Sequence, residues 1–425
     1  MTFESIKFSV QGGLDFSLPE MLRIRQHFDS SHISDPAHET RIALEALQLP
    51  CLRGKKIGIT AGSRRIANLP VVLGAVGQFL REAGAQPVII PAMGSHGGAS
   101  ADGQTQLLAN LGITEQTVGM PIESCMETEK IGVLPNGFPV WCSKTALSCD
   151  GILVCGRVKP HTSIRGQVES GLCKMMAVGL GKHRGAAEFH RQGYTHLAEL
   201  LPQIGQVFLD SGKIIGGLAL IENALDQTAV IQAVSVENFI AHEASLLEIA
   251  RQKMPRFFMD EIDVLVVKRF GKDISGAGMD PNITGRSITP LPMSAPVPIK
   301  VIVALELTPA SHGNATGIGG ADITTRHVVE QIDFGHTYTN VLTSGALAAA
   351  RLPIVAEHDL QAIRAAMHCV PRENVNDVKL VCIDDTLHMT DILVSANYLP
   401  ILERNERIKI LGKETLHFDK QNRLL

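Results

Sequence analysis

The residues of this sequence best suited to chemistry are cations and histidines in four glycine-rich segments. They are Arg64, Arg65, His96, His161, Lys174, His190 and Lys272. An Arg side chain binds a carboxylate or phosphate through two parallel hydrogen bonds. A His side chain exchanges protons near neutral pH, and two facing histidines could serve both faces of one carbon atom. The set predicts a site where a small anion is bound and protons are transferred.

Residues 156–190 carry most of these side chains. They follow Gly151-Ile152-Leu153-Val154-Cys155, a short apolar run that predicts a buried strand. Ligands of open α/β sheets bind beyond the carboxyl ends of the strands, so a cationic, glycine-spaced segment here is placed to hold an anion. The alternative is a solvated basic loop.

Two strand-loop-helix units precede this segment. Residues 55–60 predict a strand, followed by the loop with Arg64 and Arg65 and by a helix at 69–83. Residues 86–92 predict the next strand, followed by the loop with His96 and by a helix near 101–111. This rhythm predicts parallel strands, and the three loops should then meet at one edge of the sheet.

A second α/β region is predicted after a helix at 237–254 that Pro255 ends. Its predicted strands are 263–270, 299–307 and 379–385, and a helix is predicted at about 358–369. The glycine-rich loops 271–286 and 311–326 lie between the strands, and the first contains Lys272. The tail, 411–425, has no clear pattern.

Composition excludes several classes of protein. The 425 residues are 45% hydrophobic and 19% charged, which is typical of a globular protein with a sizeable core. The net charge of −4 argues against nucleic acid or an anionic membrane as the main partner. One Trp and three Tyr also argue against a base-stacking surface.

We expect a cytoplasmic protein. The N-terminus, MTFESIKFSVQGG, lacks the pattern of a signal peptide, and no apolar run approaches the ~20 residues that cross a bilayer. The eight cysteines form no CxxC pair and several lie in apolar runs, so most are predicted to be buried thiols.

Five short motifs occur in the order seen in one enzyme family. They are Ala61-Gly62-Ser63-Arg64-Arg65, Gly94-Ser95-His96, Pro160-His161, Ser170-Gly171-Leu172-Cys173-Lys174, and His190 sixteen residues after Lys174. The chain thereby resembles the nickel-dependent lactate racemases, two-domain α/β enzymes that use a nickel pincer nucleotide. The corresponding family motifs are S-D-x-T-R, G-[TS]-H, P-H and S-G-G-x-K, followed by a later His. The resemblance covers much of residues 55–190, while the second half matches only in its general α/β character.

The resemblance implies a specific role for each of these residues. His96 and His161 would be the paired acid/base residues, and Lys174 would hold or tether the cofactor. His190 would coordinate nickel, and Arg65 would bind an anion, either the substrate carboxylate or a cofactor phosphate. We assign Arg64, Arg65, Ser170 and Gly171 with Lys174 to cofactor binding, and Arg65 and Lys272 to substrate binding.

The chain departs from the family motifs in three places. Gly62 replaces the family's Asp, Leu172 replaces a Gly, and the interval from His161 to Lys174 is longer. We therefore expect a racemase or epimerase acting on lactate or on a larger 2-hydroxy or sugar acid.

The expected fold is α/β, with two domains, mainly parallel sheets and an active-site cleft between the domains. The first domain is predicted at 1–255, with 400–425 returning to it as the resemblance implies, and the second at 256–399. The sequence says nothing about the oligomeric state.

The residues themselves leave two other functions open. One is a cofactor-independent isomerase, in which His96 and His161 transfer protons and Lys174 stabilises an enolate-like intermediate. The other is a non-catalytic protein that binds a nucleotide or another anion on the same basic surface.

Overall fold

A computed structural model describes residues 5–293 and 295–425. It divides the chain into two compact units, one formed by Asp29–Met254 and the other by Met1–Phe28 with Pro255–Leu425. Among the described residues, no helix combines the length and the apolar character needed to cross a membrane.

Strands and helices alternate through most of the chain. The strands are β1 (Met21–Gln26), β2 (Lys56–Ala61), β3 (Gln86–Pro91), β4 (Thr128–Val133), β5 (Pro139–Ser143), β6 (Gly151–Arg157), β7 (Ile214–Glu222), β8 (Thr228–Val234), β9 (Ile262–Phe270), β10 (Ile299–Leu307), β11 (Ile323–Thr325), β12 (Ile354–Ala356), β13 (Leu380–Ile383), β14 (Asp391–Ser395) and β15 (Ile408–Glu414). The α-helices are α1 (Pro36–Glu45), α2 (Leu69–Glu82), α3 (Ala101–Asn110), α4 (Glu115–Val118), α5 (Lys144–Leu147), α6 (Leu172–Lys174), α7 (Lys182–Arg191), α8 (Tyr194–Asp210), α9 (Phe239–Lys253), α10 (Pro281–Thr284), α11 (Arg326–Gln331), α12 (Phe334–Ser344), α13 (Asp359–His368) and α14 (Leu399–Leu402). A π-helix at Met175–Leu180 lies between α6 and α7.

The unit formed by Asp29–Met254 is built on a five-stranded sheet of order β3-β2-β6-β7-β8. The first four strands are parallel, and only the edge strand β8 is antiparallel to its neighbour. Alternate residues of the strands enter different cores: Ile152 and Val154 pack into one, and Leu153 and Cys155 into the other. Both faces of the sheet are therefore covered, which explains why these strands are continuous apolar runs in the sequence.

The other unit contains an eight-stranded sheet of order β12-β11-β10-β9-β13-β14-β1-β15. Its five strands from β12 to β13 are parallel, and the remaining pairs are antiparallel. The α/β class with large, mostly parallel sheets, which the sequence predicts, is confirmed.

The predicted domain limits need correction at both ends of the chain. β1 pairs with both β14 and β15 in the eight-stranded sheet, so residues before Phe28 and the tail belong to the same unit as residues 255–399. Met21 and Ile24 of β1 are fully buried in this arrangement. Their partners lie more than 360 residues away in sequence, and a local pattern carries no information about such a pairing.

Candidate active site

Three loops of the Asp29–Met254 unit meet at one edge of its sheet. They follow β2, β3 and β6, and these strands run parallel in the order β3-β2-β6. The carboxyl ends of parallel strands lie at the same edge, which places residues 62–68, 92–100 and 158–171 together. The predicted meeting of these three loops is confirmed.

His96 lies exposed in the loop after β3, beside the loop after β2. Its Nδ1 is 2.5 Å from Oγ of Ser63, in the Gly-Ser-Arg-Arg loop. The chain turns sharply after His96, where Gly97 has a φ of +67° and a Cβ would come within 2.6 Å of the Gln104 backbone nitrogen. Only glycine fits that turn, so the backbone around His96 is set by close packing.

A buried lysine, Lys182, supports the loop that carries His96 through a series of hydrogen bonds. Lys182 has no solvent-accessible surface, and its ammonium donates to the carbonyl of Pro91 at 2.6 Å and to Oε1 of Gln104 at 2.9 Å. The amide of Gln104 in turn donates to the carbonyls of Gly94 and His96, at 2.9 and 3.3 Å. Burial lowers the pKa of Lys182 to about 8. This chain of bonds connects the start of α7, which carries His190, to the loop that carries His96.

His161 is fixed at both its backbone and its ring. Its amide donates to Oε2 of Glu169 at 2.7 Å. Its Nδ1 accepts the backbone N–H groups of Ser163 at 2.9 Å and Ile164 at 3.1 Å. The surrounding protein, followed by the charge of Lys174, lowers the pKa of His161 well below its ordinary value. The ring is therefore neutral at physiological pH.

Glu169 and Ser170 close the loop that holds His161. Ser170 forms a backbone bridge with Lys159, whose amide donates to the Ser170 carbonyl at 2.8 Å. The buried Glu169 carboxylate also accepts from Arg165 at 3.2 Å and from Arg251 of α9 at 2.6 Å. These contacts give Ser170 a structural role in the loop, and its predicted part in cofactor binding stays a prediction.

Lys174 ends the short helix α6 and is partly solvent-exposed. The surrounding protein and the charges of Arg64 and Lys159 lower its pKa to about 7. Its ammonium makes no hydrogen bond or ion pair with any residue that the structure describes. Because a lysine with this pKa is partly uncharged near neutral pH, Lys174 is suited to act as a nucleophile or to hold an electron-deficient ring.

Glu243 of α9 anchors the start of the helical segment that bears Lys174. Its Oε2 accepts the amide of Cys173 at 2.8 Å, while its Oε1 is buried and has no hydrogen-bond partner among the described residues. Burial raises the pKa of Glu243 to about 7. A Cβ at position 171 would lie 2.1 Å from Oε1 of Glu243, so Gly171 is required to admit this carboxyl group.

His190 occupies the last turn of α7. Its Nδ1 is buried and has no hydrogen-bond partner within the described part of the chain. Burial and the charge of Lys174 lower the pKa of His190 to about 4. The helical path between Lys174 and His190 is interrupted at Lys182, whose φ is +54°, and the chain on either side of it is helical.

Arg64, His161, Lys174 and His190 form what we call the basic cluster. Arg64 acts electrostatically on Lys174, Lys174 acts on both histidines, and His190 acts on His161. The surrounding protein and the nearby Arg157 lower the pKa of Arg64, although the residue is exposed and has no ion-pair partner among the described residues. Near neutral pH the charge of this cluster comes from Arg64 and from the protonated fraction of Lys174, because both histidines are neutral. Neither cation has a carboxylate partner among the described residues, so the cluster has a positive potential that favours an anionic ligand.

Arg65 and Lys272 differ in their surroundings. Arg65 is exposed at the edge of the sheet and makes no hydrogen bond with a described residue. Lys272 belongs to the other unit, where its ammonium donates to the carbonyl of Gly276 and to Oδ1 of Asn340, both at 2.9 Å. Arg65 is thus available to an anion, while the Lys272 ammonium is already held by protein oxygens.

Sequence reasoning missed the buried charges that position the site. A signal was present for Glu243, because it lies on the face of α9 that also presents Phe239, Leu246 and Leu247, all of them buried. A carboxylate at helical spacing within an apolar stripe is expected to be buried and therefore to have a hydrogen-bonding role. The sequence gives a weaker signal for Lys182, because Lys182 is only one of several basic residues that follow Gly181.

No group of three or more His, Cys, Asp or Glu side chains within the described ranges is arranged to hold a metal ion. His190 could nevertheless supply one nitrogen to a metal whose other ligands come from a bound molecule. The unpartnered His190 Nδ1 and the nearby Lys174 amine fit such a molecule.

Comparison with known proteins finds similarity in structure. No protein-family model and no curated protein sequence matches the chain. The lactate racemase apoprotein from Thermoanaerobacterium thermosaccharolyticum is 14% identical, with a TM-score of 0.51 over 86% of this chain and 98% of that one. A protein from Thermotoga maritima is 15% identical, with a TM-score of 0.47 over 64% of this chain and 69% of that one. At this identity the first match shows that the chain has a lactate-racemase-like fold.

Proposed function

We propose that this chain is a racemase or epimerase of 2-hydroxy acids that uses a nickel pincer nucleotide. The observation that carries the proposal is that Lys174 lies near enough to His190 for its charge to act on that ring. Both are partly buried, each lacks a hydrogen-bond partner at a nitrogen atom among the described residues, and the charge of Lys174 acts on His190. Leaving such groups unsatisfied costs stability, which a bound ligand would recover.

Lys174 and His190 are the residues that would hold the cofactor. The Lys174 amine would tether or contact its ring, and His190 would give a nitrogen to its nickel. Arg64, next to Lys174, would bind the cofactor's phosphate. The cofactor supplies an acceptor for the hydride that leaves the substrate's Cα and returns to either face.

The substrate carboxylate is assigned to Arg65. This guanidinium is exposed at the carboxyl edge of the sheet and lacks a partner among the described residues, so its fork is available for a planar anion. Lys272 was predicted to share this role, but its ammonium already donates to two oxygens in its own unit. His96 and His161 would contact the substrate hydroxyl, from the loops that follow β3 and β6.

Mass spectrometry of protein produced together with the enzymes that make the cofactor tests the proposal. Denaturing spectra detect a covalent nucleotide, native spectra detect a non-covalent one, and metal analysis gives the nickel content. We expect bound nucleotide and stoichiometric nickel in the unaltered protein. Lys174→Met should lose the nucleotide, and His190→Ala should lose most of the nickel.

Two exposed residues of the same unit provide matched controls. Lys144 pairs with Glu127 at the surface, and His196 lies exposed near the start of α8. Lys144→Met and His196→Ala should keep both nucleotide and nickel. Nickel that is retained equally by His190→Ala, or bound stoichiometrically by protein without nucleotide, would contradict the proposed cofactor site.

A further inference from the structure

The two histidines assigned to proton transfer differ in their hydrogen bonds. The ring nitrogen Nδ1 of His161 accepts two backbone N–H groups, from Ser163 at 2.9 Å and from Ile164 at 3.1 Å. An N–H group can donate only to a lone pair, so Nδ1 carries no hydrogen. A neutral imidazole has one N–H, and in His161 that hydrogen must therefore be on Nε2.

From this geometry we infer that His161 is a fixed N–H donor to the substrate's hydroxyl oxygen, and that His96 accepts the hydroxyl proton. The inference rests on the proposed function and divides its two acid/base residues into different roles. The lone pair of His161 lies on Nδ1 and faces the protein's own amides. Accepting a proton there would break both hydrogen bonds, at a cost of about 1–3 kcal/mol for each buried donor left unpaired.

The loop around His161 keeps Nδ1 directed at the two backbone N–H groups, so the ring cannot exchange the positions of its nitrogens by turning. The backbone of His161 is held through the Glu169 carboxylate, which accepts the His161 amide at 2.7 Å. The Lys159–Ser170 bridge closes the loop at its base. Turning the ring by half a revolution would replace Nδ1 with a carbon atom and leave the amides of Ser163 and Ile164 unsatisfied. Nε2 has no hydrogen-bond partner among the described residues and is open to a ligand.

The hydrogen bond between His96 and Ser63 does not fix the tautomer of the His96 ring. Its Nδ1 faces the hydroxyl of Ser63 at 2.5 Å, and a hydroxyl group can either donate or accept. The ring can therefore exist as either tautomer or as the cation without losing this bond. His96 is also exposed, so a substrate can approach it.

These roles give a balanced oxidation of the alcohol. The hydroxyl proton passes to His96, and the electron pair of the O–H bond becomes the second bond of the carbonyl group. The nucleotide cofactor, when bound, would supply the acceptor for the Cα hydrogen and its electron pair. His161 donates its Nε2–H to the oxygen throughout and undergoes no change of protonation. In the reverse direction His96 would return the proton to the oxygen, and addition of the hydride to either face would give either stereoisomer.

Nitrogen-15 NMR of the full-length protein tests the tautomer without any cofactor or substrate. Protein labelled in its 16 histidines would be compared with His161→Gln and His96→Gln, which assign the two rings by the signals that disappear. We expect His161 to show a protonated Nε2 and an unprotonated Nδ1 between pH 6 and 8. A protonated Nδ1, or a ring that becomes cationic in this range, would overturn the inference.

Kinetics of the loaded enzyme test the division of roles. A Gln side chain can place an N–H near the position of Nε2 but cannot accept a proton there. We expect His161→Gln to lose less than about tenfold in kcat, His161→Ala to lose ~10²–10³, and His96→Gln to lose ~10²–10⁴. The acidic limb of the pH profile should persist in His161→Gln and disappear in His96→Gln. Equal losses in the two Gln variants would show that His161 also accepts a proton.

Different results would contradict the proposed function and the proposed tautomer. If the loaded, unaltered protein racemises no 2-hydroxy acid, the proposed function is wrong. The NMR measurement still decides the His161 tautomer in that case, because it needs only the folded chain.

Discussion

The two units differ in whether their closely spaced charged side chains are paired with opposite charges. In the unit that contains the eight-stranded sheet, the fully buried Asp263 accepts from Lys300 at 2.6 Å and from Arg372 at 2.9 Å. Glu261 pairs with Arg372 and Lys379 beside it. We call these five residues the Asp263 cluster. In the other unit, the basic cluster brings Arg64, Lys174 and two histidines together without a paired carboxylate among the described residues.

This difference separates a structural role from a binding role. Burial opposes ionisation of Asp263, yet hydrogen bonds from Arg372 and Lys300 outweigh it and lower its pKa, so the cluster is internally satisfied. In the basic cluster the pKa values of Arg64, Lys174 and both histidines are all lowered, so the protein disfavours their charged forms. This is expected for groups whose charge is balanced only when an anion binds. Glycine-rich loops at the ends of parallel strands occur in both units, so the loops alone do not mark the site.

The largest effect on stability should come from breaking the Asp263 cluster. Asp263→Ala leaves Arg372 and Lys300 without their buried partner, and we expect the free energy of unfolding to fall by about 3–5 kcal/mol. Glu261→Ala is the matched control, because the Glu261 side chain is 35% exposed, and it should cost less than about 1 kcal/mol. Urea denaturation measures both, and equal losses would show that burial of the carboxylate is not what matters.

The next effect concerns Glu243 and depends on pH. Its pKa is about 7 in the folded chain, above the ordinary value of 4.5, so the folded state binds the proton more tightly. The resulting stability is fully present below pH 4.5 and is lost as the pH rises through 7. Glu243→Gln removes this loss while keeping an oxygen for the Cys173 amide. We expect the variant to match the unaltered chain near pH 4.5 and to exceed it by about 2–3 kcal/mol at pH 8. A difference that does not vary with pH would contradict the assignment.

Lys174→Met should stabilise the apo-protein. The pKa of Lys174 is about 7 in the folded chain and 10.5 ordinarily, so folding opposes its protonation. This cost is complete below pH 7 and vanishes as the pH approaches 10.5. Allowing for partial solvent exposure, we expect a gain of about 2 kcal/mol at pH 7 that disappears near pH 10.5. A loss of stability at pH 7 would mean that the ammonium has a protein partner.

Lys272→Met is the counterpart in the other unit, and its effect should have the opposite sign. The substitution removes the donor to the carbonyl of Gly276 and one of two donors to the amide oxygen of Asn340, which keeps its hydrogen bond from Thr316. We expect a loss of about 1 kcal/mol, measured by urea denaturation at pH 7. If Lys272→Met and Lys174→Met shift stability in the same direction, the contrast between the two lysines is wrong.

Much of the fold follows from local sequence patterns. β2, β3 and β6 are apolar runs followed by glycine-rich loops, and a parallel sheet places such loops at one edge. The pairing of β1 with β15 could not be predicted in this way, because two short strands at opposite ends of the chain carry no local mark of one another. The resemblance pointed to the return of the tail to the first domain, which the structure contradicts.

Some residues of the candidate site can likewise be predicted from local sequence patterns, and others cannot. Exposed residues in glycine-rich loops, such as His96 and Arg65, are visible as motifs. The groups that orient them are distant in sequence, and Lys182 supports the His96 loop through Gln104, 78 residues away. The tautomer of His161 depends on two amide directions that only coordinates reveal.

We propose that the chain interconverts 2-hydroxy acid stereoisomers by moving hydride and not by removing a Cα proton. The most direct test is to incubate the cofactor-loaded protein in D2O with one enantiomer of lactate and of larger 2-hydroxy acids. Chiral chromatography follows the loss of optical purity, and proton NMR follows the hydrogen at C2. We expect interconversion of at least one substrate with its C2 hydrogen retained. Deuterium at C2 would indicate cofactor-independent proton transfer, and binding without any interconversion would indicate a non-catalytic anion-binding protein. Either result would contradict hydride transfer by this chain.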